Sequence, residues 1–430
     1  MSDAASAAPS DANVPILIDH LFRHQAGQVV ATLTRLFGVR HLQLAEDVVQ
    51  ETLIKALRQW PYRGVPDNTG GWLMRVAKNH ALDILRREQR VLGDAVELIH
   101  QLGSDNVPIE LLENDLHDDQ LRMIFTCCHP ALSRSARVAL TLKTIGGFGV
   151  AEIARAFLTS ESTVAQRLVR AKRTLRELNT PFEVPEAHEL PARLAPVLDV
   201  LYLLFNEGYN AYQGEDLVRH DLCAEAIRLT SLVAQHPAGD QPKVHALLAL
   251  MLLHASRLPA RTDAAGDLVL LEEQDRTRWD QQLIGQGLVE LIRSAYGTEL
   301  SEYHLQAGIA ACHAVAPSYA ETDWPRIVEQ YDELVKLTPS PIVALNRTVA
   351  HAMVQGPLVA LEELERIARL AGMTSYHLFH ATRAELWWQL GDLQQAAISY
   401  EHALKYTVNE PERRFLRRKL ASCQLPLTTA

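Results

Sequence analysis

The chain has 430 residues, of which 47% are hydrophobic and 22% are charged, and its formal net charge is −10. This composition excludes a disordered chain, and the length favours two to four domains. The sequence has no run of eighteen apolar residues and no secretory leader, and its five cysteines lack paired spacing. We therefore expect a cytoplasmic protein with no membrane segment, no disulfide framework and no metal site.

The charge is unevenly distributed along the chain. The first 180 residues contain 21 Lys and Arg against 20 Asp and Glu, whereas the remaining residues contain 21 against 32. The near-neutral first part therefore remains a candidate for nucleic-acid binding. A flexible tail is predicted over residues 1–15, and the composition of the chain favours helices and predicts an all-α fold.

Residues 16–90 form the first predicted domain, with breaks in the helical pattern at 37–38 and 61–71. Within it, residues 44–57 (LAEDVVQETLIKAL) predict a helix whose exposed face is acidic. Residues 68–90 (NTGGWLMRVAKNHALDILRREQR) predict a second helix with one apolar and one basic face. Taken alone, this helix is equally compatible with an ordinary solvated charged face.

Residues 91–120 contain eight Asp and Glu and no Lys or Arg, and they lack helical periodicity. We predict an acidic linker there, followed by a helical domain over residues 121–180. Within that domain, residues 149–172 predict a helix-turn-helix, in which Ala154 lies at the helix crossing and Val164 faces inward. Leu158 occupies the turn position where many such motifs have Gly. Six outward residues of the second helix can reach a DNA major groove: Ser162, Thr163, Gln166, Arg167, Arg170 and Arg173.

The motifs AEDVVQET, GGWLMRVAKNHALDILRR and the helix-turn-helix, in this order, resemble regions two and four of extracytoplasmic-function (group IV) RNA polymerase sigma factors. The family pattern has Phe where Leu53 stands, which conserves apolar volume. The resemblance implies that Asp47, Gln50 and Glu51 face the clamp of the polymerase β′ subunit. It implies minus-ten promoter contacts by Trp72, Lys78, Asn79, Asp83, Arg86 and Arg87. It further implies that the helix-turn-helix binds the minus-thirty-five element, and that the acidic linker threads the polymerase channel, with the β and β′ subunits and promoter DNA as partners.

Beyond a proline-containing linker at 181–191, we expect a helical extension domain at 192–290 and helical repeats at 291–430. Residues 381–404 resemble a tetratricopeptide (TPR) hairpin, with Gly391 at its turn, and residues 345–368 resemble a fainter copy with Gly356 at its turn. FTCCHPAL at 125–132 and two segments of the second half look like the sigma subgroup whose extension contains such repeats. We expect this extension to regulate the protein and to bind a regulatory protein or peptide.

Two other classes of protein are alternatives to a sigma factor. A helix-turn-helix activator with a TPR sensor domain would bind duplex DNA without melting it, and it would not need the second basic helix. An enzyme built on Cys128 and His129 would need a third catalytic partner, which the sequence does not offer. We expect no enzymatic activity and no cofactor, because the sequence contains no motif of a nucleotide-binding, hydrolase or metallopeptidase site.

Overall fold

The computed structural model describes residues 14–92, 116–157, 159–209, 218–370 and 372–424. Regular structure in these ranges consists of helices, together with one isolated antiparallel bridge between Thr262 and Leu268. The predicted all-α fold is therefore confirmed. The chain divides into two compact units, residues 1–200 and 201–430, and each is described by itself. Among the described residues, no helix combines the length and apolarity needed to cross a membrane.

In its described residues, the first unit contains seven helices and the beginning of an eighth. They are α1 Val14–Phe37, α2 Leu42–Arg63, α3 Thr69–Leu92, α4 Leu116–Cys127, α5 Arg134–Thr144, α6 Val150–Ala156, α7 Glu161–Glu177 and α8 Leu190–Tyr209, which crosses into the second unit. Helices α1, α2 and α3 pack together, and α1 also packs on α4. Gly38 (φ 84°) and Gly64 (φ 80°) end α1 and α2 in a conformation that favours glycine. The helical break that was predicted to begin at Pro61 begins after Arg63, because α2 continues through the proline.

Helix α4 begins at Leu116, inside the segment predicted to be an acidic linker. The expectation that this linker extends to residue 120 is therefore wrong. Asp119 is fully buried, and its carboxylate lies 2.9 Å from Arg35 Nε and 2.8 Å from Arg122 Nη1. Two arginines compensate the buried charge, so this part of the acidic run is structural. The predicted linker residues 93–115 lie outside the described residues.

The second unit continues α8 and contains ten further helices in its described part. They are α9 His220–Gln235, α10 Pro242–Ala255, α11 Gln281–Ser294, α12 Glu302–Val315, α13 Trp324–Leu337, α14 Pro341–Gln355, α15 Pro357–Ile367, α16 His377–Gln389, α17 Leu393–Tyr406 and α18 Glu410–Gln424. Eleven of the fourteen residues of α10 are buried, which makes it the central helix of the packing with α9, α11 and α12. Each helix from α12 to α18 then packs on the next.

The turns expected in the repeats lie where the sequence predicts them. Gly356 separates α14 from α15 with φ 90°, and Gly391 separates α16 from α17 with φ 79°. Ala384, Ala396 and Tyr400 are buried between α16 and α17, in agreement with the packing faces expected from the pattern. The assignment of these hairpins as TPR repeats stays a prediction.

An irregular segment interrupts the second unit between α10 and α11, where an almost wholly helical chain was expected. Residues 261–272, here called the strap, follow a short 3-10 turn and include Gly266 with φ 78°. Asp267 anchors the strap, because its carboxylate lies 2.5 Å from Arg414 Nε and 2.8 Å from Arg418 Nη1 of α18. The strap is thus held by long-range ion pairs that helical periodicity does not reveal.

Candidate polymerase and promoter interfaces

The outer face of α2 carries the three residues expected to bind polymerase. Asp47, Gln50 and Glu51 are all exposed. The same face continues with Ile54 (42% exposed) and Leu57 (44% exposed), which lie seven residues after Asp47 and Gln50. Exposed apolar side chains beside acidic ones are suited to binding another protein. The sequence analysis missed Ile54 and Leu57, although their spacing from the acidic residues could have indicated them.

The exposed face of α3 presents most of the residues expected near the minus-ten element. Asn79, Asp83, Arg86 and Arg87 are exposed and Lys78 is half-buried, while the apolar stripe of α3 is buried through Leu73, Ala77, Ala81 and Leu85. Asp83 lies 3.8 Å from Arg86, so one carboxylate orients one of the guanidinium groups. This face offers several cations that could follow a phosphate backbone.

Trp72 has a structural role in addition to the expected one. Its ring packs edge-on against buried Trp60, with 5.4 Å between ring centroids, and both belong to a small apolar cluster with Ala56 and Val65. Trp72 itself is only half-buried. Part of the ring is therefore available to solvent at the start of α3, as an aromatic surface of the kind on which a base can stack.

Helices α6 and α7 form the predicted helix-turn-helix. Ile153, Ala154 and Val164 are buried where the two helices cross. Ser160 caps α7, because its Oγ accepts a hydrogen bond from the backbone N of Thr163 at 3.1 Å. The turn residue Leu158 lies outside the described residues.

The outward face of α7 is mixed in its exposure. Ser162, Gln166, Arg170 and Arg173 are exposed, whereas Thr163 and Arg167 are half-buried. Arg173 Nε donates to Glu177 at 2.6 Å, and this hydrogen bond raises the pKa of Arg173. Gln166 and Arg170 are exposed, and their side chains are long enough to reach base edges.

The inner side of α7 is pinned to α2 by an ion pair that the sequence analysis did not anticipate. Lys172 of α7 and Glu46 of α2 are 9% and 10% exposed, and they form a salt bridge. Lys172 Nζ also donates to Gln43 Oε1 at 2.8 Å, and Thr144 Oγ1 donates to Glu46 Oε1 at 2.7 Å. We call these four residues the ionic clasp. Their polar groups satisfy each other, as burial of a charged pair requires.

The two cysteines at the end of α4 have the environment of core residues, and the histidine that follows them is half-buried. Cys127 and Cys128 are buried, and burial raises the pKa of Cys128 to about 12. Burial lowers the pKa of His129, whose Nδ1 accepts a hydrogen bond from the backbone N of Ala131 at 3.2 Å. A buried neutral thiol is a poor nucleophile and a poor metal ligand. In the described part of the chain, no cluster of three or more His, Cys, Asp or Glu side chains is placed to hold a metal ion.

Comparison with known proteins matches both the region that contains α2 and α3 and the region that contains the helix-turn-helix. Residues 21–91 match the family model Sigma-70 region 2, and residues 122–175 match Sigma-70, region 4. The ECF RNA polymerase sigma-E factor of Escherichia coli K12 is 32% identical over 139 residues, which cover 30% of this chain and 70% of that protein. The chain belongs to the extracytoplasmic-function (ECF) sigma factor family. Its first unit also resembles the ECF RNA polymerase sigma factor SigE of Mycolicibacterium smegmatis, with 32% identity over 161 residues, covering 37% of this chain and 60% of that protein.

The extension of this ECF sigma factor is shared with a full-length relative. The uncharacterized protein R00370 of Rhizobium meliloti is 40% identical over 398 residues, covering 91% of this chain and 92% of that protein. Residues 193–295 match a family of unknown function, DUF6596. No solved structure matches the chain. The comparisons thus bear out the resemblance to ECF sigma factors, while the TPR-containing subgroup stays a prediction.

Proposed function

We propose that this ECF sigma factor binds core RNA polymerase through the outer face of α2 and directs it to promoters through α3 and α7. Helix α3 would contact the minus-ten element, and α7 would contact the minus-thirty-five element. The observation that carries the proposal is the presence of three solvent-exposed faces on one compact unit, one acidic and apolar, and two basic.

The polymerase contact rests on the composition of the α2 face. Asp47 and Glu51 supply negative charge, and Ile54 and Leu57 supply apolar area that water covers in the free protein. Charge complementarity would steer the encounter with a basic surface of the β′ clamp, and burial of the apolar pair would add affinity. A DNA-binding face would have the opposite charge.

The promoter contacts rest on two chemically different tasks. Opening a promoter exposes single-stranded bases, for which Lys78, Arg86 and Arg87 offer phosphate contacts and Trp72 offers an aromatic surface. Duplex recognition requires side chains that reach base edges in the major groove, and Gln166 and Arg170 project from a capped recognition helix. A simple activator would need only the second of these faces.

Transcription in vitro with core polymerase and the purified chain tests the proposal. We expect promoter-dependent initiation by the chain, and a loss of polymerase binding in a pull-down with the double variant Asp47→Lys and Glu51→Lys. Glu186→Lys is the matched control, because Glu186 is an exposed acid of the same unit outside this face. Equal binding by the double variant and the control would contradict the α2 assignment, and duplex binding without initiation would favour an activator.

We further propose that the extension regulates this cytoplasmic protein, without a cofactor or enzymatic activity, through a bound protein or peptide. Support comes from its acidic charge and from an exposed apolar row on and just after α11, formed by Val289 (49% exposed), Ile292 (65%) and Tyr296 (74%). Such a row is suited to a partner surface.

Truncation tests this regulatory role, and the structure determines where the cut should fall. Leu194, Val197 and Leu198 of α8 are buried residues of the first unit, and Arg193 Nη2 donates to the backbone O of Phe125 at 3.1 Å. A chain ending at Tyr209 keeps these contacts, whereas one ending at Thr180 loses them. A gain or loss of transcription after truncation at Tyr209 would support regulation, and activity equal to the full chain at every salt concentration would exclude it.

A further inference from the structure

The second unit contains a cavity of about 380 Å³, open to solvent, that none of the proposed sigma activities uses. Strap residues Leu268, Leu270 and Leu271 line one side of it, and residues of α12, α13, α14, α16, α17 and α18 line the rest. This volume lies within the range of sites for small molecules. The strap is fixed beside the cavity, because Asp267 forms ion pairs with Arg414 and Arg418 of α18.

The charged residues that line the cavity are carboxylates. Glu272, Glu385 and Glu412 contribute to the lining, and neither Lys nor Arg does. Glu385 accepts hydrogen bonds from Tyr400 Oη at 2.9 Å and Lys419 Nζ at 3.3 Å, and Glu412 lies 3.1 Å from His377 Nε2. Glu272 forms no salt bridge among the described residues, although the charge of Lys419, the partner of Glu385, also acts on it. The cavity therefore has an excess of negative charge, which its low-dielectric walls concentrate.

The carboxylates influence the ionisation of groups around the cavity. Burial, followed by repulsion from Glu385, raises the pKa of Glu272. Burial raises the pKa of Tyr319 to about 12, with further contributions from Glu272 and Glu385. Glu272 and Glu385 line the same cavity, Lys419 offsets part of the repulsion between them, and a bound organic cation would offset more of it.

Aromatic groups supply the other half of the site. Tyr319 and His313 each pack edge-on against Trp324, at centroid distances of 5.2 and 5.3 Å. Burial, followed by the charge of Arg257, lowers the pKa of His313 to about 3, so its ring is neutral at physiological pH. Trp324 Nε1 and His313 Nδ1 are buried without a hydrogen-bond partner among the described residues. Aromatic rings beside carboxylates are a recurrent environment for organic ammonium groups.

We propose that this cavity binds a free organic cation, an amine or guanidinium attached to an apolar body. The cationic group would lie near Glu272 and Glu385, and the apolar body would lie against the strap leucines and the aromatic rings. The proposal does not depend on the sigma activity, since it concerns only the second unit.

Isothermal titration of the full chain with three molecules of equal shape tests the proposal. The probes are 4-phenylbutylamine, 4-phenylbutanol and 4-phenylbutyrate, which are cationic, neutral and anionic at pH 8. We expect the amine to bind at least about tenfold more tightly than the alcohol, and the carboxylate not to bind. Binding of the amine should weaken as the pH falls, because protonation of Glu272 removes the charge that attracts it while the amine stays cationic.

Two adjacent residues provide a matched pair of variants. Glu272→Gln should weaken amine binding by about tenfold, whereas Glu273→Gln should leave it nearly unchanged, because both side chains are exposed but only Glu272 lines the cavity. Neither side chain forms an ion pair among the described residues, so both variants should keep the thermal stability of the parent chain. Val349→Trp, which fills the cavity without changing its charge, should abolish binding.

The proposal would be overturned by equal binding of the three probes, by no binding of the amine, or by equal losses in the two glutamine variants. Tighter binding of a capped Phe-Lys dipeptide than of 4-phenylbutylamine would also overturn it, because the site would then read a polypeptide rather than a free small molecule.

Discussion

The inward and outward sides of α2 use neighbouring acids for opposite purposes. Glu46 is buried and belongs to the ionic clasp with Lys172 of α7, whereas Asp47, the next residue, is exposed on the face proposed for polymerase. The same contrast occurs on α7, where buried Lys172 precedes exposed Arg173. Some charged residues of an amphipathic helix therefore hold the unit together, and others remain available to a partner. Two charged residues that are adjacent in the sequence can have these different roles.

The largest expected effect comes from breaking the clasp on one side. Lys172→Ala should destabilise the first unit by about 3–5 kcal/mol, because it leaves the Glu46 carboxylate buried without its cation. Urea unfolding of the full chain, followed by tryptophan fluorescence, measures this change through the midpoint of the first transition. The neighbouring variant Arg173→Ala is the control, and it should change stability little, because its pair with Glu177 is exposed to solvent and screened.

A double variant distinguishes the loss of the ion pair from the loss of side-chain volume in Lys172→Ala. Glu46→Gln with Lys172→Met removes both charges at similar volume, and it should recover most of the stability lost in Lys172→Ala. If Lys172→Ala were as mild as Arg173→Ala, the clasp would not be a buried ion pair in solution.

A smaller effect is expected on the outward side of α7. Arg167→Ala and Arg170→Ala should each weaken promoter binding by about 1–3 kcal/mol if they contact bases. Fluorescence anisotropy with a promoter duplex and a shuffled duplex, at several salt concentrations, distinguishes the kinds of contact. Loss on the promoter alone indicates base reading, whereas equal loss on both duplexes with a flatter salt slope indicates phosphate contact. Arg176→Ala serves as the exposed control, and unchanged binding by both test variants would show that this face is not the reader.

The smallest expected effect is a difference in reactivity between buried and partly exposed cysteine thiols. Raised pKa values and burial should keep Cys127 and Cys128 unreactive toward iodoacetamide at pH 8, because almost no thiolate is present. The partly exposed thiols of Cys312 and Cys423 should react first, and unfolding in urea should remove the difference. Peptide mass mapping after timed labelling measures it. Rapid labelling of the Cys127–Cys128 peptide in the folded chain would restore the nucleophile interpretation.

Local periodicity was sufficient to predict the helices and their outward faces. The apolar stripe of α3, the crossing of α6 and α7, and the turns at Gly356 and Gly391 all follow from residues close together in the sequence. Most of the residues proposed for the α2, α3 and α7 interfaces are indeed exposed or half-buried. Their binding roles stay predictions.

The features that the sequence analysis missed depend on partners far along the chain. Asp119 looks like part of a solvated acidic run, yet Arg35, 84 residues earlier, neutralises it in the core. Lys172 meets Gln43 and Glu46 across more than 120 residues, and Asp267 meets Arg414 and Arg418 across about 150. No pattern within one helix contains this information, because such pairs are specified only by the tertiary packing.

The ionic clasp also limits the distance between α3 and α7, the two helices that are proposed to bind DNA. A compact unit of 200 residues has a radius of gyration of about 16 Å, which corresponds to a solid sphere about 43 Å across. The centres of the minus-ten and minus-thirty-five elements are separated by about 25 base pairs, or about 85 Å of straight duplex at about 3.4 Å per pair. If α3 and α7 bind these elements as proposed, a unit in which α2 and α7 remain joined would reach either element but would not span both. Occupying a whole promoter would then require the clasp to open, whereas an isolated half-site would be bound with it closed.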